Sequence, residues 1–379
     1  MKGRIFMKKI TVMSVFGTRP EATKMCPLVK ALEADERFES VVCVTAQHRE
    51  LLDSVLEFFG VVPDFDLNIM KPRQTLADIT STVILRLCEV LRQRRPDILL
   101  VHGDTTTSFA AALAAFYEQV PVGHVEAGLR TYDKYSPFPE EMNRTLTTRI
   151  AHCHFAPTVE SVANLKREGV TENIYVTGNT GLDSFRYTVS KDYKFKDSTL
   201  ASLDFSQGRY ILMTAHRREN IGQGLENICS AVKRLVDEFE DIRVIYPVHP
   251  NPAVRETVFG KLGDHDRIYL LDPIDVTDMH NLITKAYMFL TDSGGIQEEA
   301  PTFGVPVLVL RTETERPEAV AAGTVKIVGI EEEGVYTEAV RLLTDPVAHR
   351  KMSSAKNPYG DGKASERIAD AIWEVFNKN

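Results

Sequence analysis

The sequence lacks the marks of several large protein classes. No apolar run approaches the length needed to cross a bilayer, so no membrane span is expected. Basic residues do not predominate: 45 Lys and Arg stand against 53 Asp and Glu, for a formal net charge of -8. A broad nucleic-acid footprint is normally basic, so that class is disfavoured. The cysteines Cys26, Cys43, Cys88, Cys153 and Cys229 are odd in number and contain no CxxC pair. Free thiols in a reducing cytoplasm fit them better than a disulfide framework. There is no GxxxxGK[ST] phosphate loop and no GxGxxG after a predicted strand, so no redox dinucleotide cofactor is expected. The basic-then-apolar start, MKGRIFMKKITVMSV, runs straight into GTRPEATK without a small-residue cleavage site. It reads as a first strand rather than a secretion signal.

What is present suits an α/β enzyme. The chain has 379 residues, 43% hydrophobic and 26% charged, enough for two cores. Continuous apolar runs predict strands at 10–16, 41–45, 98–102, 122–125 and 173–177. A second set falls at 210–214, 244–248, 267–271, 288–291 and 305–310. Amphipathic stretches at 22–34, 47–59, 76–94 and 228–240 alternate with them, as in parallel sheets covered on both faces. The polar stretch 183–208 is the expected crossing between domains. The predicted division is residues 1–185, residues 186–362, and a final helix in 363–379 returning to the first domain. In doubly wound sheets, ligands bind beyond the carboxyl ends of the strands. Gly17–Arg19, His102–Asp104, Glu126, His216, His249 and Ser293–Gly295 all fall there.

Each motif carries a bland reading beside a chemical one. FGTRPEATK is a strand-to-helix turn: Gly17 permits a tight turn and Pro20 suits a first helical turn. Arg19 and Lys24 then flank the positive end of a helix, or are simply solvated. TDSGGIQEEA is more specific. Ser293 is a helix cap, and Gly294 and Gly295 open the helix amides to a phosphate. Glu299 suits ribose hydroxyls and Arg316 adds a cation. Asp104, Glu126 and Glu140 come from three segments, and each alone is most simply a solvated group. Asp104 in particular would serve as a cap for the following helix. Clustered, they would push one another's proton affinities apart and supply an acid and a base. His216 ends a strand ahead of Arg217 and Arg218 and suits a phosphate or leaving oxygen; as a bland alternative it caps a helix. His152-Cys153-His154 resembles a metal cluster, but neighbouring strand residues face opposite ways and no further ligand spacing supports zinc. No metal site is expected. Tyr187-x-x-x-Lys191, without a dinucleotide fingerprint, reads as chance.

Taken in order, GTRPEA, TAQHRE, DLNIMKP, HGDTT, GHVEAGLRT, the PEE run, TAHRREN, DSGGIQEEAP and TERPEAV closely resemble the non-hydrolysing UDP-N-acetylglucosamine 2-epimerases, from about Ile10 to the final helix. The resemblance implies a GT-B fold, with two Rossmann-like doubly wound domains facing a cleft, usually in a homodimer. It implies interconversion of UDP-GlcNAc and UDP-ManNAc for surface polysaccharide synthesis. The family's nucleotide-sugar contacts fall on Arg19, Lys24, Asp104, Glu126, His216, Ser293, Gly294, Gly295, Glu299 and Arg316. Its catalytic carboxylates fall on Asp104, Glu126 and Glu140. Ile274 and Met279, in PIDVTDM, stand where some relatives carry Gln and Phe near the uracil. Some bacterial members bind a second UDP-GlcNAc as an activator. Gln47, His48, Arg73 and one of Arg217 or Arg218 match that region, whereas Glu50 replaces a Gln.

Chemistry then restricts the mechanism. The sugar C2 proton is not beside a carbonyl, so a carboxylate cannot simply remove it. One route oxidises a neighbouring carbon with NAD, and this chain has no fingerprint for that. The other expels UDP from C1 first, which acidifies the C2 proton and leads through 2-acetamidoglucal. A hydrolysing epimerase, a GT-B glycosyltransferase and a non-catalytic nucleotide-sugar sensor are the rival readings.

Overall fold

The computed structural model describes residues 8–46, 49–71 and 73–377. The chain forms two compact units. One runs to Arg186 and resumes at Tyr359; the other is Tyr187–Pro358.

The first unit is built on seven parallel strands: β1 Ile10–Phe16, β2 Phe38–Val44, β3 Phe65–Asp66, β4 Ile98–His102, β5 Val122–Val125, β6 Cys153–Ala156 and β7 Ile174–Val176. Their order is β3-β2-β1-β4-β5-β6-β7. In β1, Val12, Met13, Val15 and Phe16 are fully buried, and all five residues of β4 are buried, as a sheet covered on both faces requires. Two apolar clusters lie around this sheet. The last helix, Ala364–Phe376, lends Ile368 and Ile372 to one of them, and Trp373 meets Phe38 edge-on at 6.4 Å. The buried Asp183 carboxylate accepts the Ala364 and Ser365 backbone N–H groups at 3.0 and 2.6 Å, fixing that helix's start.

The second unit has six parallel strands: β8 Arg209–Thr214, β9 Ile242–Pro247, β10 Ile268–Leu271, β11 Ala286–Thr291, β12 Val307–Val309 and β13 Val325–Ile327. Their order is β10-β9-β8-β11-β12-β13. Its core gathers buried residues such as Met213, Val244, Tyr246 and Leu290 with the helix Gln223–Glu238.

Both sheets reverse strand order once, between β1 and β4 in the first and between β8 and β11 in the second. These are the topological switch points, where the loops part and leave a crevice. Gly17 and Asp104 follow the first pair of strands; His216 and Ser293 follow the second.

Candidate active site

In the first unit the helix Arg19–Ala34 starts with a capping box: Thr18 Oγ accepts the Glu21 N–H at 3.4 Å, and Glu21 accepts the Thr18 N–H at 2.8 Å. Glu21 is 2% exposed and accepts more than that. It takes the Gly17 N–H at 3.0 Å and the hydroxyls of Thr105 and Ser108 at 2.7 and 3.0 Å. One carboxylate therefore ties the loop after β1 to the loop after β4. Gly17 is required for a reason other than turn geometry. A Cβ there would lie 1.8 Å from Thr45 Oγ1.

Two of the expected carboxylates meet beside this clamp. Glu126 follows β5 with φ of 63°, a left-handed conformation uncommon for a non-glycine residue. Such strain persists only where the surroundings impose it, and it fixes the direction of the side chain. Lys24 is ion-paired to Glu126, and His102 Nε2 lies 3.6 Å from Glu126 Oε2. Asp104 is paired with Arg144 at 2.6 Å, and Asn143 donates to the Asp104 carbonyl at 2.9 Å. It does not cap the next helix; Thr105 does, accepting the Ser108 N–H. Burial raises the Asp104 pKa, with Arg144 opposing and Glu126 adding to the rise. Burial holds His102 at about 4, so its imidazole is neutral at pH 7.

Glu140 is the first residue of the helix Glu140–Ile150 and is partly exposed. Arg144, which reaches Asp104, lies one turn further along, so Glu140 shares its face. Its neighbour Glu141 is the buried one, accepting the Thr131 and Tyr132 N–H groups at 3.1 and 3.0 Å. Arg19 is exposed at the helix start.

In the second unit the organiser is Asp292, the last residue before Ser293 and fully buried. Its Oδ2 accepts the N–H groups of His216 and Arg217, each at 2.8 Å, and the Asn220 amide at 3.0 Å. Its Oδ1 lies 3.2 Å from His216 Nδ1, off the line of a well-formed hydrogen bond. Burial pushes this carboxyl up, yet the contacts from His216 and Arg217 outweigh it and hold the pKa below the usual aspartate value. Thr214 and Thr291 join β8 to β11 through hydroxyls 2.7 Å apart, and Ser293 N–H donates to Thr291 at 3.0 Å.

Ser293 precedes the short helix Gly294–Glu299, but its hydroxyl makes no cap bond. The cap expected of that side chain is therefore absent, and the hydroxyl is not committed to the helix. Glu299 Oε2 lies 3.8 Å from His280 Nε2. Arg316 is paired with Glu298. Gly294 lies alongside, and a Cβ there would stand 3.6 Å from the Arg316 guanidinium. A cavity of about 280 Å³ in this unit is lined by His216, His249, Ile274, Met279, Ser293 and Ile296, among others. Its lining is mainly apolar, with the His216 and His249 rings stacked at 5.7 Å and 11°. That combination suits a flat heterocycle with a polar edge.

The sequence reading passed over Glu21 and Asp292. The capping box Thr18-x-x-Glu21 signals the first locally, but the reach to Thr105 and Ser108 is long-range. Asp292 stood in view beside Ser293, but its partners are 72 to 76 residues away. Of the residues matching the activator region, Gln47 and His48 lie outside the described residues. Arg73 is exposed with φ of 59°, and the Arg217 backbone is bound to Asp292. Arg218 opens the short turn Arg218–Asn220. Among the described residues, no group of three or more His, Cys, Asp or Glu could hold a metal ion. No helix among them is long and apolar enough to cross a membrane.

Residues 30–373 match the family described as UDP-N-acetylglucosamine 2-epimerase. The chain is 56% identical to the UDP-N-acetylglucosamine 2-epimerase of Bacillus subtilis, covering 97% of this chain and 96% of that one. A crystal structure of the UDP-GlcNAc 2-epimerase from Neisseria meningitidis, bound to UDP-GlcNAc, is similar at TM-score 0.82 and 46% identity, over 96% of this chain and 100% of that one. The glycotransferase of kitacinnamycin is 12% identical over 97% of this chain and 99% of that one, with TM-score 0.66. At that identity the likeness concerns the fold, which is of GT-B type.

Proposed function

The chain belongs to the UDP-N-acetylglucosamine 2-epimerase family, and from that membership and its two half-sites we propose that it is a non-hydrolysing epimerase. It interconverts UDP-GlcNAc and UDP-ManNAc by eliminating UDP and adding it back, and so supplies cell-surface polysaccharide synthesis. The observation that carries this reading is the Asp104–Glu126 pair after adjacent strands, with Glu126 locked at positive φ and Lys24 and Arg144 as counter-charges.

The steps follow from the groups available. The C1–O bond breaks and its electron pair leaves with UDP, giving an oxocarbenium-like sugar. A carboxylate of the Asp104, Glu126 and Glu140 set takes the C2 proton, and 2-acetamidoglucal forms. Return of a proton to the opposite face and attack of the UDP oxygen on C1 give the epimer. Arg19, Lys24, Arg316 and the amides of Ser293, Gly294 and Gly295 stabilise the departing diphosphate. His216, with Nδ1 turned to Asp292, offers Nε2 to the same charge. The 280 Å³ cavity takes the uracil, with Ile274 and Met279 as apolar walls. Glu299 takes the ribose hydroxyls. No cofactor is needed for these steps. A homodimer, a cytoplasmic location, which the five free buried cysteines fit, and an activating second UDP-GlcNAc belong to the same proposal.

Proton NMR of UDP-GlcNAc with the purified protein, without NAD or metal, tests the reading. Signals of UDP-ManNAc are expected. Free ManNAc and UDP would instead indicate the hydrolysing reaction, and an unchanged spectrum with UDP-GlcNAc bound would indicate a sensor.

A further inference from the structure

We propose that His102 is a positioning residue for Glu126: its Nε2–H takes the Glu126 carboxylate when Lys24 turns to the substrate's diphosphate. The proposal rests on the epimerase reading above and adds one residue to it.

His102 is the last residue of β4 and is 4% exposed. Its Nε2 has no hydrogen-bond partner among the described residues. A buried ring nitrogen without a partner is rare enough in a folded protein to call for a reason. The reason is in view: that nitrogen lies 3.6 Å from Glu126 Oε2, the same oxygen that Lys24 holds. One carboxylate oxygen thus has a present donor and a second one just beyond hydrogen-bond range.

The two donors differ in freedom. Lys24 has a flexible stem and is partly exposed, so its ammonium can swing to an anion. His102 is held from both sides of its backbone: Ser108 donates to its carbonyl, and it stands in register with Val125 of β5. Glu126 begins just after that register, and its positive φ restrains it in turn. The short approach needed to close 3.6 Å falls to the carboxylate, released when the ammonium leaves. The charged groups acting on the imidazole are Glu126 and Lys24, and burial keeps the ring neutral. It therefore orients a carboxylate without adding a second cation that would weaken it as a base. No proton is transferred in this exchange; one hydrogen bond replaces another.

Steady-state kinetics and C2 deuterium incorporation in heavy water, on wild type and three variants, test the assignment. His102→Phe keeps the bulk and loses the donor. It is expected to lose about 10- to 100-fold in kcat, with KM for UDP-GlcNAc within about threefold. His102→Gln places an amide N–H near the Nε2 position and is expected to recover most of the rate. A structural role alone would not distinguish them in this way. His102→Phe at wild-type kcat, or His102→Gln as slow as a folded His102→Phe, would overturn the assignment. Should His102→Phe not fold, the comparison of His102→Gln with the shorter His102→Asn decides: a faster Gln variant supports the role and equal rates overturn it. A wild-type protein that incorporates no deuterium would overturn the epimerase reading and this role together.

Discussion

His216 and Asp292 are joined twice: one Asp292 oxygen accepts the His216 backbone N–H at 2.8 Å, and the other lies 3.2 Å from His216 Nδ1. Because Asp292 follows β11 and His216 follows β8, this contact sets a ring beyond one strand end from beyond the other. The half-site in the second unit is thereby held by the protein's own contacts, as electrostatic stabilisation of a leaving group requires.

Asp292→Asn should lose stability and rate together. Three N–H donors converge on Oδ2, and an amide in its place weakens each bond and presents its NH2 to His216 Nδ1. A loss of about 1–3 kcal/mol in urea unfolding is expected. The pH dependence carries a sign. The folded pKa of Asp292 lies below its ordinary value of 3.8, so its contribution is full above that value and is lost as pH falls through the folded pKa. Unfolding titrations below pH 4 should show an acid-sensitive increment in wild type that the variant lacks. Equal acid sensitivity would count against this role.

Asp104→Asn should fold and bind UDP but turn over poorly. The Arg144 contact and the Asn143 bond to the backbone carbonyl can both survive the change. Removing one acid–base group costs roughly 100- to 10,000-fold in rate. Calorimetry with UDP and kcat by NMR separate the two effects, and near-normal turnover would remove Asp104 from the catalytic set.

Glu126→Gly should cost activity without costing stability. Glycine reaches φ of 63° freely, whereas a residue with a Cβ pays about 1–2 kcal/mol there. The lost Lys24 pair leaves an ammonium that can turn outward. An unfolding midpoint equal to or above wild type, with turnover reduced at least 100-fold, is expected. A clear drop in midpoint would mean that the ion pair outweighs the strain.

Buried histidines set the behaviour in mild acid. Burial lowers His102, His154 and His280 to about 4 and His124 to about 3, from 6.5. Between about pH 6.5 and 4 the unfolded chain binds these protons and the folded chain does not, so stability falls as pH drops through that window. Denaturant midpoints at pH 7, 6 and 5 should decline, and more shallowly in His154→Phe, which removes one such proton site. An unchanged slope would exclude His154 from the effect.

The sheets were legible because their central strands are continuous apolar runs. The readings at 10–16, 98–102 and 122–125 coincide with β1, β4 and β5. Failures came where the signal is short. Phe65–Asp66 has two residues, and Val325–Ile327 has three with Lys326 between its apolar ends. The sequence reading treats His152-Cys153-His154 as strand residues only to dismiss a metal cluster, and the fully buried strand Cys153–Ala156 is missing from the predicted set. The same limit governs the site. Glycine turns and strand-end carboxylates are local patterns, whereas the Glu21 clamp, the Arg144 pair and the Asp292 hub are made by residues 40 to 87 positions apart. No periodicity reports such distances. The strain at Glu126 belongs to the backbone alone and leaves no mark on composition.

The central claim is that loss of the nucleotide from C1 opens C2 to hydrogen exchange. Incubating UDP-GlcNAc with the protein in heavy water and recovering the nucleotide sugars tests it most directly. Deuterium at C2 of both UDP-GlcNAc and UDP-ManNAc, in step with epimerisation, is the predicted result; epimerised product that keeps its original C2 hydrogen would contradict it.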